Sequence, residues 1–497
     1  MDRRAFIRRM AQLAAATTAS VAVPRALRSA AQGQFGAFPD IAKAYQLGQG
    51  KRAEKVLDVL LGGGFSPWES FYVVPEYGKK EGHSWWTYQD GPESVAEWHA
   101  KCNGGPLIEP WLTDSLGAKV YLGPMVAPLR ARPDILARMR VMVMQHTLMP
   151  HETAVPLAFT GLPLGSVGAA SPGAAVQHAA LAQSDYKLSS PVSYALTPPI
   201  ETSRITVTTG MHPTAARPIE LPLRDLQHLM AVLGRNTVGN NAPEVDALAA
   251  HYAAQYKGAL TPPGANIPVR AAALDDFLHA TATLPTTPAL ASMMMNTNLM
   301  PVSGMVCGQQ FFPAISKMQM QLAAHLLQAP GSKARYVSVF DNGQVDGSPG
   351  FDAHAFHVRD SFRAARQTLG ALLDVVRKPG ENAPHKIDLD ETMIVLNSEF
   401  GRAPSKQGAF GRNHWPYGYV VAFIGGPIGT KQAGLRGAID PAGLAIGGLT
   451  PLQQRAALLV AMGIWPFDKE TYPVGGFPGS TELGAVKWLH DDVLGQA

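Results

Sequence analysis

Short runs of consecutive apolar residues punctuate the chain, and each gives way to a polar or glycine-rich turn. Val56-Leu57-Asp58-Val59-Leu60-Leu61 runs into Gly62-Gly63-Gly64, and Arg140-Val141-Met142-Val143-Met144 runs into Gln145-His146. Tyr336–Phe340, Thr392–Leu396 and Tyr419–Ile424 repeat the pattern. Runs of this kind predict strands buried on both faces, because a strand with one wet face would alternate apolar and polar positions. From Phe356 to Val376 the pattern changes: Phe362, Leu369, Leu373 and Val376 fall on one stripe, which predicts an amphipathic helix. Strand, helix, strand in succession predicts an α/β fold with a mostly parallel sheet covered by helices on both faces. Residues 160–235 are rich in Gly, Pro, Ser and Thr and read as a loop-rich insertion. Residues 243–330 read as mostly helical, with Ile315, Met318, Leu322 and Leu326 on one face.

Composition sharpens this picture in a few places. The chain has 497 residues, 46% hydrophobic and 16% charged, enough for two or three average domains or for one large α/β domain with insertions. Arg3-Arg4-Ala5-Phe6-Ile7, a mildly apolar run from Met10 to Val23, and small residues around Ser29-Ala30-Ala31 predict a twin-arginine export signal over residues 1–31. That segment holds six arginines and one aspartate against a net +4 for the whole chain, so residues 32–497 are close to neutral. The charge therefore supplies no argument for nucleic-acid binding. The expected location is the periplasm or another exported one, with the twin-arginine translocon as partner during export. No later window is long and apolar enough for a membrane anchor after signal cleavage. Cys102 and Cys307 are the only cysteines, which excludes a cysteine-based zinc site and leaves one disulfide open.

The chemistry-bearing residues gather where predicted strands end, and ligands of open α/β sheets collect at the carboxyl ends of strands. In Phe351-Asp352-Ala353-His354, Asp352 and His354 point the same way in extended backbone and can grip one ion together. The alternative is an Asp that caps the following helix beside a surface His. His357 can extend the set. After the strand at 392–396, Glu399 can bind a metal or hold a histidine, and Arg402 can clamp an anionic oxygen. Alternatively these two form a buried ion pair that only fixes the turn. His414 reads as a ligand, a general acid or a ring packed under Trp415. Ser66 and Glu69 follow three glycines that let backbone approach a ligand, or they belong to a plain strand-to-helix loop. His146 and His151 follow the second strand. No Gly-x-Ser-x-Gly elbow, P-loop, HExxH helix or dinucleotide glycine pattern is present.

The order of these pieces resembles an exported bacterial family filed as "domain of unknown function 1501", of the alkaline phosphatase and sulfatase-like superfamily. The matching residues are Arg3-Arg4-Ala5-Phe6, Gly62 to Ser66, His146 to Gly161 and Phe351-Asp352-Ala353-His354. Ser398-Glu399-Phe400-Gly401-Arg402 and Arg412-Asn413-His414-Trp415-Pro416 complete the set. The resemblance covers most of residues 32–497, read as one large domain, and implies an alkaline phosphatase-like sheet. It implies a divalent ion (Zn, Mn, Ca or Mg) on Asp352, His354 and His414, with Ser66 near the nucleophile position and Glu399 and Arg402 in catalytic roles. His151, His357 and Glu69 are further candidates. The family pattern also marks departures. Leu61-Gly62-Gly63 has no Asp where active relatives place a ligand, Phe400 stands where they carry a second His, and Asn413 replaces a common Asp. The expected activity is hydrolysis of a small-molecule phosphate or sulfate ester at a reduced metal site. The competing expectation is an inactive exported protein that binds a glycan, an anion or a partner chain with the same cleft.

Overall fold

The computed structural model describes residues 34–79, 105–164, 171–181, 192–197, 218–222, 315–343, 350–408, 410–468, 471–479 and 481–497, with a few short stretches between them. The proposed leader, much of the insertion and most of the helical segment before residue 315 lie outside the described residues.

Among the described residues, eight strands form the central sheet: β1 (Lys55–Leu61), β2 (Met139–Met144), β3 (Ser193–Thr197), β4 (Ile219–Pro222), β5 (Tyr336–Asp341), β6 (Thr392–Asn397), β7 (Tyr419–Gly425) and β8 (Gly434–Arg436). Their spatial order is β8-β2-β7-β6-β1-β5-β3-β4. β1 lies at the centre, parallel to β6 on one side and β5 on the other, with Leu57 opposite both Ile394 and Val337. Seven of the strands run the same way, and β7 alone is antiparallel, between β6 and β2. The apolar run at 419–424 thus forms the expected strand in the opposite direction. Burial on both faces produces the same continuous run whichever way a strand points. The described parts of 160–235 include a helix, Pro172–Leu181, and two strands of the main sheet, β3 beside β5 and β4 at the edge. Such short strands carry too few residues for a clear period, and Pro222 suits an edge because it cannot donate to a neighbour.

Alternate residues of each buried strand enter opposite cores. Leu57, Val59 and Leu61 of β1 face one core, together with Val141, Val143, Ile394 and Leu396. Val56, Met142, Met144, Met393 and Val395 face the other. The first core is covered by α3 (Ile315–Gln328) and α4 (His357–Val375), whose Met318, Leu322, Leu326, Phe362 and Leu369 are buried. The second core lies under α2 (Pro172–Leu181), α5 (Pro451–Ala461) and α6 (Glu482–Trp488), with α1 (His151–Thr160) packed against α5. Each fully buried Val, Leu or Met contributes roughly 1.5–3 kcal/mol by leaving water.

One buried polar cluster interrupts the second core. Asp58, in the middle of β1, accepts from Tyr336 Oη and pairs with Arg455 of α5, whose Nε donates to the Ala158 carbonyl of α1 at 2.6 Å. Both charges are fully buried, so each is stable only because the other is present. The cluster ties α5 and the C-terminal part of α1 to the central strand. Cys102 is disulfide-bonded; the other cysteine, Cys307, lies outside the described residues. Among the described residues, no helix is long and apolar enough to cross a membrane.

Candidate metal centre

Parallel strands present their carboxyl ends on one edge, and β7, being antiparallel, starts there. The residues singled out from the sequence follow from this. His151 opens α1 after β2, Asp352 and His354 lie between β5 and α4, and Glu399 comes directly after β6. Arg402 and His414 face one another across a two-residue antiparallel ribbon, Gly401–Arg402 with His414–Trp415, that leads into β7.

Asp352 stands at the centre. Its Oδ1 lies 3.0 Å from His354 Nε2, 3.2 Å from His414 Nε2 and 2.6 Å from Arg402 Nη2. Its Oδ2 lies 3.2 Å from His151 Nε2. The far nitrogen of each ring faces an oxygen: His151 Nδ1 is 2.9 Å from Glu399 Oε1, His354 Nδ1 is 2.6 Å from Gln407 Oε1, and His414 Nδ1 is 3.0 Å from the Met149 carbonyl. Those oxygens place a proton on each Nδ1 and leave each Nε2 lone pair turned inward when the ring is neutral. Two of these atoms, His354 Nε2 and His414 Nε2, are 2.9 Å apart. His151 Nε2 is buried, with Asp352 Oδ2 beside it at 3.2 Å. Facing lone pairs around a carboxylate repel unless a proton or a metal cation lies among them. An outer oxygen on each Nδ1 is also the arrangement that orients histidine ligands. The ring of His414 stacks on Phe400 with centroids 4.3 Å apart, not under Trp415.

Burial would raise the Asp352 pKa, but His151, His354, His414 and Arg402 outweigh it and hold the carboxyl well below its usual range. Burial opposes charge on His151, yet the Asp352 and Glu399 carboxylates prevail and lift its pKa to about 10. Burial depresses His414, with Arg402 and His151 adding to the effect against Asp352.

Several sequence expectations find different geometry. Asp352 does not cap the helix: the N-cap of α4 is Phe356. Arg402 pairs with Asp352, and Glu399 instead accepts from the Gly63 N–H at 2.6 Å and from His151. Arg402 is fully buried, and all three of its nitrogens are engaged: the carbonyls of Gly63, Gly64, Phe351 and Arg412 accept from it besides Asp352, and its Nη1 also faces His354 Nε2 at 3.4 Å. It therefore holds the site together and has no donor left to clamp an added oxygen. Ser66 is also fully buried, and its hydroxyl donates to Glu69 Oε2. Glu69 pairs with Arg412 and with His357 Nε2 at 3.0 Å. Burial works against its ionisation, but Arg412 and His357 lower its pKa to about 2. His357 is pushed down by burial. Ser66, Glu69, His357 and Arg412 thus form a second, sealed layer behind the first.

The sequence signals did not show which pieces join these layers. Gln407 orients His354, and His146 Nε2 donates to the Glu399 carbonyl while its Nδ1 accepts from the Leu148 N–H at 3.1 Å. Gly63 has φ +120°, and a Cβ there would lie 2.5 Å from Asp352 N. The triple glycine was legible as a close approach of backbone, but its target was not.

His151, Asp352 and His414 each offer a ligand atom within 4.8 Å of the others, and they can hold a metal ion. Fold and site together define an α/β protein with a histidine–carboxylate centre at the carboxyl edge of its sheet. Residues 53–478 match the family described as "Protein of unknown function (DUF1501)", and the chain belongs to that family. No curated protein and no solved structure matches the chain.

Proposed function

We propose that this is an exported protein of alkaline phosphatase-like fold that hydrolyses phosphate or sulfate esters at a single-metal centre. The observation that carries the reading is the convergence of three Nε2 atoms on the Asp352 carboxylate, each ring fixed from behind by an oxygen. His151, Asp352 and His414 would hold the ion, with His354 as a fourth donor. A set dominated by imidazole favours Zn²⁺ over Mn²⁺, Ca²⁺ and Mg²⁺, which suit oxygen ligands better. When bound, a divalent cation polarises an ester oxygen and acidifies a water. The chain's own residues position that chemistry. Glu399 orients His151, Arg402 holds Asp352, and the Glu69–Arg412 pair fixes the loop that carries Arg402. With the Ser66 hydroxyl committed to Glu69, water is the nucleophile this geometry favours.

The absence of a free side-chain nucleophile or anion clamp among the described site residues favours one alternative, an inactive protein that binds with the same cleft. The test is a screen of the zinc- or manganese-loaded protein against phosphate and sulfate esters. Turnover that disappears in His151→Ala and His414→Ala supports the hydrolase. A metal-replete protein that turns over no ester leaves the binding role.

A further inference from the structure

The polar centre opens to solvent on one flank. The side chains of Asp352 and His354 are each 36% exposed, whereas His414 is 14% exposed and Glu399 and Arg402 are buried. Two phenylalanines border that flank. Phe356 lies two residues beyond His354, across a bend in the backbone. The Phe410 carbonyl accepts from the His357 backbone N–H at 2.9 Å. The next residue, Gly411, is pressed against His354 so closely that a Cβ there would fall 1.6 Å from the His354 carbonyl oxygen. The two rings lie nearly parallel, with centroids 6.1 Å apart and planes at 11°, and they are 37% and 36% exposed.

Phe356 is also the N-cap of α4, with no side-chain cap hydrogen bond. Ser, Thr, Asp or Asn at that position would satisfy a helix N–H. A half-exposed aromatic where a small polar residue would stabilise the helix breaks a local rule, and such breaks gather at functional sites. Neither ring has a polar tip, so the surface they share suits another flat apolar ring in offset stacking, not a hydrogen-bonding group.

We infer that Phe356 and Phe410 form a platform for an aromatic ring carried by the anionic ligand, so that the centre takes aryl esters in preference to small alkyl ones. The inference deepens the hydrolase reading and rests on it for the word ester, but the recognition can be measured without turnover. The experiment is calorimetric titration of the full chain, supplied with one equivalent of Zn²⁺, with phenylphosphonate and with methylphosphonate. The expected result is phenylphosphonate bound about tenfold more tightly, the scale of one or two aromatic contacts. Phe410→Ala and Phe356→Ser should each reduce that preference, and the double variant should abolish it. Phe356→Ser should at the same time keep or raise the melting temperature, because serine can cap the helix, so its loss of preference cannot be put down to unfolding. Equal affinity for the two probes, binding of neither, or a preference that survives in the double variant overturns the inference. A preference without hydrolysis of any ester overturns the hydrolase reading and leaves the platform standing.

Discussion

At neutral pH a proton and a divalent cation compete for the same lone pair on His151. Its pKa of about 10 means that the ion-free ring is charged, balancing Asp352 and Glu399. Binding a metal there must expel that proton, since only the neutral ring ligates. Calorimetry in buffers of different ionisation enthalpy should therefore register about one proton released per ion near pH 7.5. Apparent affinity should rise about tenfold per pH unit and level off near pH 10, where the free ring is already neutral. Binding without any buffer dependence would mean that His151 is not a ligand. Glu399→Gln keeps the shape but removes the charge that orients His151. It should weaken metal binding by about 10–100-fold, the usual effect of losing an outer partner, and isothermal titration reads this directly.

Two elements set the geometry from outside the centre. The loop after β1 presses Gly63 against Asp352, and its positive φ disfavours any side chain. Gly63→Ala should both destabilise the fold and displace Asp352, lowering the urea midpoint and the metal content together; a variant that binds metal normally would show that the loop does not support the site. The ribbon carrying Arg402 and His414 is held by the fully buried pair Glu69–Arg412. Glu69→Ala leaves Arg412 buried without a counter-charge and should cost about 3–5 kcal/mol in urea unfolding. Because the folded pKa of Glu69 is lowered to about 2, its contribution is complete above its ordinary value of 4.5 and fades as pH falls toward 2. The stability difference between wild type and Glu69→Ala should therefore shrink across that acid window, and a difference that stays constant through it would contradict the role.

The elements of the whole molecule were more legible in its sequence than their arrangement. The runs at 56–61, 140–144, 336–340, 392–396 and 419–424 announced their strands because burial on both faces leaves no polar alternation. The helix expected from Phe356 to Val376 forms over His357–Val375 for the matching reason, a single apolar stripe. Direction was not legible: β7 is as apolar as β6 but runs the other way. At the site, Asp352, His354, Glu399 and His414 were readable from their places after strands, and His151 from its place after the second. Which groups each would meet was not readable, because Arg402 and Asp352 are joined only through tertiary packing. The commitment of Ser66 to Glu69 was hidden for the same reason, since burial and direction of a hydroxyl leave no mark on sequence spacing.

The central claim, that this edge is a metal centre, can be tested directly by elemental mass spectrometry of the purified protein, wild type beside His151→Ala/His414→Ala. Near-stoichiometric zinc or manganese in the wild type, lost in the variant while the fold is kept, is the expected result. A wild-type protein that carries no metal and takes up none when it is supplied would contradict the account.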